Sequence, residues 1–159
     1  MSHTGEKICF TVNALITHKD KVLLVFHKDY QTWFPPGGHV EKEEDPETAV
    51  YREIVEETGL TKNELTPIEN KFEANENIFS DMSGRLLISP LYSDIHTIGP
   101  NREHVGLRFF FKSTKEIVVS SDDDTTEIRW FTIEELNGHK YNLRKHVIFY
   151  GEIAIRLSA

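Results

Sequence analysis

The order of secondary structure along the chain predicts an α/β fold, an α/β/α sandwich built on a mixed β-sheet. Three observations predict it. Short segments rich in β-branched and aromatic residues recur through the chain, one strongly capped helix interrupts them, and helical patterning returns only near the C-terminus. At 159 residues, 38% hydrophobic and 28% charged, the sequence is sized for one compact domain spanning residues 1–159.

Taken in order, Ile8 to Thr17 and Lys21 to His27 read as two strands joined at His18-Lys19-Asp20. In the first, Val12, Ala14 and Ile16 alternate with Thr11, Asn13, Leu15 and Thr17. One face therefore belongs to a core, and the polar positions of the other suit a cavity wall. Cys9, the only cysteine, reads as a core residue and excludes an internal disulfide or a cysteine-based zinc cluster. Trp33 and Phe34 precede the turn Pro35-Pro36-Gly37-Gly38, and each is either core packing or a surface on which a nucleobase stacks. The two glycines allow bare main chain to approach whatever binds beside them.

A helix is predicted from Pro46 to Thr58. Asp45 is its N-cap, Pro46 suits the first turn, and Gly59 closes it in the left-handed conformation. On a helical projection Val50, Tyr51, Ile54 and Val55 form the packing side, opposite Ala49, Arg52, Glu53, Glu56 and Glu57. The acidic side breaks the electrostatic rules, because Glu56 and Glu57 occupy the last turn, where the helix dipole is negative, with Glu53 on the same face. Each misplaced charge costs a few tenths to about 1 kcal/mol without a compensating cation. Three such carboxylates offer the hard oxygen donors that Mg²⁺ or Mn²⁺ prefers, and the competing reading is a solvated acidic face.

Beyond the helix, Thr61 to Ile68 reads as a connecting segment and Lys71 to Asn77 as a short strand. Strands are expected at Arg85 to Ile88, Leu91 to Ile98, Val105 to Lys112, Glu116 to Val119 and Glu127 to Phe131. Thr132-Ile133-Glu134-Glu135 is a capping box opening a short helix that ends near Asn137-Gly138. Asn142 is expected to cap a final helix, with Leu143, Val147, Tyr150, Ala154 and Leu157 as its core stripe.

The acidic stretch lies within a longer pattern: Gly38, five residues, Glu44, seven residues, Arg52-Glu53-Ile54, one residue, Glu56-Glu57, one residue, Gly59-Leu60. Every fixed position of the Nudix box is filled, so the chain resembles the Nudix (MutT-like) hydrolases; many members carry glycine where this sequence has Glu43. The resemblance implies the α/β/α sandwich. It also implies a site in which Glu53, Glu56, Glu57 and the Gly37 carbonyl hold Mg²⁺ or Mn²⁺, while Arg52 pairs with Glu44 and orients Glu53. The implied reaction is hydrolysis of the pyrophosphate linkage of a nucleoside diphosphate joined to another moiety. The alternative is a catalytically silent nucleotide-binding regulator, against which the intact box argues. Candidate substrate contacts are Trp33, Phe34, His96, His104 and Arg108. Asp122, Asp123, Asp124 and Glu127 either supply one extra carboxylate as ligand or base, or form a solvated loop.

A formal charge of −8 argues against a nucleic-acid duplex as partner and favours a small nucleotide substrate whose anionic charge bound cations would neutralise. No apolar run is long enough to span a membrane, and Met1 to Lys7 lacks a signal-peptide core, so a cytoplasmic location is expected. The oligomeric state, including a homodimer, is left open.

Overall fold

The computed structural model describes residues 7–69, 78–116, 118–121 and 123–159. The central strand, β1 (Ile8–His18), turns through Lys19-Asp20 into β2 (Lys21–His27). The two strands stay paired only near the turn, at Thr17↔Val22 and His18↔Lys21. Where they part, β4 (Gly37–His39) takes over as the antiparallel neighbour of β1, with Thr11 opposite His39 and Asn13 opposite Gly37. This exchange of neighbours seats the glycine turn against the middle of the sheet. Ala14 N–H donates to the Pro36 carbonyl (2.8 Å), and Val40 N–H to that of Phe10 (2.9 Å).

On its other edge β1 runs parallel to β7 (Arg102–Ser113), in register from Ile8↔Glu103 to Thr17↔Lys112. The outer neighbours are β3 (Thr32–Phe34) and β8 (Thr125–Phe131) on β2, and β5 (Leu65–Ile68) and β6 (Tyr92–Gly99) on β7. Among the described residues the result is a mixed eight-stranded sheet. Helix α1 (Pro46–Thr58) covers one face; α2 (Ile133–Asn137) and α3 (Lys145–Ser158) cover the other.

Strand alternation divides the apolar residues between two cores. Val12, Ala14, Ile16, Leu23, Phe109 and Phe111 pack toward α1, whereas Leu15, Val22, Leu24, Phe110 and Phe131 pack toward α2 and α3. The predicted cavity face of β1 is correct, since Thr11, Asn13 and Leu15 line a cavity on the α3 side. The α/β/α sandwich is the fold observed. No helix among the described residues is long and apolar enough to cross a membrane.

Several elements differ from expectation. Thr61 to Ile68 is not a plain connector, because Lys62–Glu64 forms one 3₁₀ turn and Leu65–Ile68 pairs with the C-terminal half of β7. Arg85 to Ile88 is irregular, and the described residues of 116–119 form no strand. The expected strand at Lys71 to Asn77 lies outside the described residues. On α1 the packing side is rotated from the predicted one, so Ala49 is buried with Val50 and Ile54 while Val55 is exposed. Asn142 has a positive φ of 46° and precedes the true N-cap, Arg144; Leu157 of the predicted stripe is exposed.

Candidate active site

The termini of α1 form as the sequence dictates. The Asp45 carboxylate accepts from Thr48 N–H (2.9 Å), and Gly59 (φ 71°) returns its N–H to Val55 O (2.9 Å). The late loop docks on the C-terminal carbonyls of the helix. Ser121 donates to Glu56 O from its N–H (2.9 Å) and its hydroxyl (3.1 Å), and Val119 N–H donates to Thr58 O (2.9 Å). This docking places Asp123 and Asp124 beside Glu56, where they line one shallow acidic depression. Asp122 lies outside the described residues, and Glu127 sits exposed on β8 opposite Phe26.

Arg52 organises the acidic face. Its Nε and Nη2 grip both oxygens of Glu44 (2.8 and 3.0 Å), and Nη1 reaches Glu53 Oε1 (2.7 Å) and Glu56 Oε2 (3.4 Å). Nη2 also donates to the His39 carbonyl (3.1 Å), tying the helix to β4. The expected Arg52–Glu44 pair is thus present as a bidentate fork. The Arg52 hydrogen bond, outweighing desolvation, holds the Glu44 carboxyl below its ordinary value.

Glu57 is buried, and its carboxylate accepts from Gly37 N–H (2.8 Å) while His27 Nε2 lies 3.4 Å away. Space requires glycine at position 37, and at position 38 a side chain would displace the Glu53 carboxylate. A Cβ on Gly37 would stand 2.1 Å from Val12 O, and one on Gly38 would stand 2.3 Å from Glu53 Oε1. Gly38 therefore keeps open the volume in which the Glu53 carboxylate lies.

Across β4, on the α3 side of the sheet, opens a cavity of about 240 Å³. Phe34, His96, His104 and Arg108 line it, four of the five expected substrate contacts. Trp33 does not; it is buried in the second core against Phe131 (5.1 Å between ring centroids) and Tyr141. Phe34 is hemmed in by Tyr30 and His27 at its edges, with His146 stacked on it at 6.4 Å and the Arg144 guanidinium 5.1 Å over its ring.

Three residues of the cavity wall, His96, Arg108 and Tyr150, belong to a network centred on Asp94. Arg108 grips its carboxylate with Nε (2.8 Å) and Nη2 (3.0 Å), Tyr150 hydroxyl donates to it (2.7 Å), and His96 Nδ1 lies 2.9 Å away. Desolvation opposes the charged form, but these hydrogen bonds prevail and hold the Asp94 carboxyl well below the usual carboxylate range. Arg108 also donates to Asn13, and Gly106 leaves room for the guanidinium, since a Cβ there would meet Nη2 at 2.6 Å. His104 Nε2 lies 3.1 Å from His39 Nε2. Burial, with His39, His96, Arg102 and Arg108 around it, pushes the His104 imidazole down to about 4. It is therefore neutral at neutral pH.

Asp94, His39, His146 and Tyr150 are the site residues that sequence reasoning missed. Tyr150 reads as stripe packing, yet its hydroxyl completes the Asp94 network. The available signal was Arg108, a charged residue alternating with Phe109 and Phe111 on a core strand.

The fold and site together set a clamped glutamate helix on one side of a glycine turn and a basic, aromatic cavity on the other. The NUDIX domain model matches residues 8–153, and the chain belongs to the Nudix family. It is similar to the mouse (Mus musculus) diphosphoinositol polyphosphate phosphohydrolase 3-alpha, 42% identical over 60 residues, 37% of this chain and 36% of that protein. It is also similar to the zebrafish (Danio rerio) m7GpppN-mRNA hydrolase NUDT17, 37% identical over 100 residues, 60% of this chain and 29% of that protein. The matches thus span about a third of these relatives. Among solved structures, a NUDIX-family hydrolase from Clostridium perfringens superposes with a TM-score of 0.78 at 29% identity, covering 94% of this chain and 97% of that one.

Proposed function

We propose that this chain is a pyrophosphohydrolase that cleaves the linkage of a nucleoside diphosphate joined to a second moiety. The observation that carries the reading is the Arg52 clamp, which holds Glu44, Glu53 and Glu56 on the side of α1 that meets the glycine turn. The names of the two relatives support it, since each denotes a hydrolase of a compound bearing adjacent phosphates.

The donor set fits Mg²⁺ or Mn²⁺, for Glu53, Glu56, Glu57 and the Gly37 carbonyl are all hard oxygen ligands. The space left by Gly38 beside Glu53 suits the same role. Among the described residues no three acidic or imidazole groups already gather around one point. Glu53 and Glu57 are held instead by Arg52 and the Gly37 N–H. Held by these residues, a divalent cation would supply positive charge to neutralise phosphate oxygens and to acidify water. Glu57, Glu56 or the neighbouring Asp123 or Asp124 accepts the proton of the attacking water, while Arg52 fixes where the glutamates stand.

Incubation with Mg²⁺ and a panel of dNTPs, ADP-ribose, dinucleoside polyphosphates and nucleotide sugars tests the reading. Turnover of at least one compound is expected, falling about 100-fold or more in Glu57→Gln. Cleavage of none of them, or turnover indifferent to Glu57→Gln, refutes it.

A further inference from the structure

The cavity beside the glycine turn does not end at Arg108. A second chamber of about 630 Å³ adjoins it, and His96, Arg108, His146 and Tyr150 line both. The outer chamber adds Asp94, Arg144 and Lys145. Its charge balance is opposite to that of the whole chain, which carries −8. Three guanidinium or ammonium groups, those of Arg108, Arg144 and Lys145, face one carboxylate.

That carboxylate is already occupied. Asp94 takes both arms of Arg108, the Tyr150 hydroxyl and His96 Nδ1 at 2.9 Å, so it is committed to partners other than Arg144 and Lys145. Arg144 and Lys145 make no ion pair among the described residues. Arg144 is not loose, because its guanidinium lies over the Phe34 ring, which fixes it at the junction of the two chambers. The same contact, with His146 stacked on Phe34, takes up the ring that a nucleobase would otherwise use.

We infer that the outer chamber is a subsite for a second phosphoryl group of the substrate, separate from the scissile anhydride and received by Arg144 and Lys145. The inference rests on the proposed pyrophosphohydrolase reading for the role of the inner chamber. It makes the preferred substrate a nucleotide derivative carrying an additional phosphomonoester, not one ending in a neutral group.

Equilibrium binding to the intact chain, by titration calorimetry, tests it with 5′-AMP and adenosine 3′,5′-bisphosphate. The two differ by one phosphomonoester, and neither contains an anhydride to be cleaved. The bisphosphate is expected to bind about tenfold more tightly. That advantage should fall to less than about twofold in the Arg144→Ala, Lys145→Ala double variant and persist in Arg144→Lys, which keeps the charge. It should also shrink in about 0.5 M salt. Equal affinities in the unmodified chain, an advantage untouched by the double substitution, or binding of neither nucleotide overturns the inference. Because no hydrolysis is measured, a tight bisphosphate preference in a chain that cleaves nothing would refute only the enzymatic reading.

Discussion

Removal of Arg52 should weaken the fold by an amount set by the groups it leaves behind. The guanidinium side chain is 25% exposed, and its principal partners Glu44 and Glu53 only 11% and 13%. Arg52→Ala deletes the bidentate contact to Glu44, the contact to Glu53 and the bond to the His39 carbonyl, and leaves three glutamates facing one another. Loss of one partner from a fully buried ion pair costs about 3–5 kcal/mol, so a partly exposed clamp should cost about 2–3 kcal/mol. At about 2–4 °C per kcal/mol for a domain of this size, the midpoint falls by about 4–12 °C.

Urea unfolding, which leaves electrostatics unscreened, gives the measurement as a shift in midpoint at constant slope. Its pH dependence is a second check. Arg52 lowers the Glu44 carboxyl in the folded state, so its stabilisation is fully present above the unfolded value of 4.5 and is lost as pH falls through the lower folded value. The gap between the unmodified chain and Arg52→Ala should therefore be widest near neutrality and narrow in acid. A loss below about 0.5 kcal/mol would assign the clamp the weight of an ordinary surface pair, and a gap as wide at pH ~3 as at pH ~7 would show that charge is not its basis.

Three further outcomes follow from local geometry. Glu43 is exposed and holds a φ of 68°, a conformation that costs a side-chain-bearing residue about 1–2 kcal/mol. Glu43→Gly should match or exceed the parent by up to about 1 kcal/mol in urea, and Glu43→Val should fall below it by more than about 1 kcal/mol; the reverse order would contradict the backbone argument. Tyr150→Phe removes one donor to Asp94 and should lower stability by about 1–2 kcal/mol, with a neutral result showing that water replaces the hydroxyl. Gly38→Ala sets a methyl 2.3 Å from the Glu53 carboxylate and should reduce turnover more than 10-fold with little change in unfolding midpoint, while full activity would free Glu53 from its assigned place.

Local chemistry made the α1 side of the site legible in the sequence. Asp45, Pro46 and Gly59 fix the ends of the helix within a few residues of themselves, and the Thr132–Glu135 capping box forms as written. Elements defined by distant partners were not legible. Leu65–Ile68 contains Pro67 and looks like a linker, and becomes a strand only because the edge of β7 is available to it. Asn142 has the chemistry of a cap, but the chain passes through it in a left-handed conformation and starts the helix later. The Asp94 network joins β6, β7 and α3, with Arg108 14 positions and Tyr150 56 positions along the chain from Asp94, so no short motif records it.

The electrostatic cost of the acidic helix also looks different once its contacts are known. From sequence, Glu53, Glu56 and Glu57 at the negative end of α1 appear uncompensated, and that was the reason to read them as a cation site. In the fold Arg52 answers Glu53 and Glu56, and the Gly37 N–H answers Glu57, so much of the repulsion is already offset. A cation held by these carboxylates must therefore compete with Arg52 and with the glycine turn. Arg52, bound at the same time to Glu44 and the His39 carbonyl, can release Glu53 and still hold α1 against β4. On the proposed reading the clamp would serve as a stand-in charge that keeps the glutamates together in the absence of a cation.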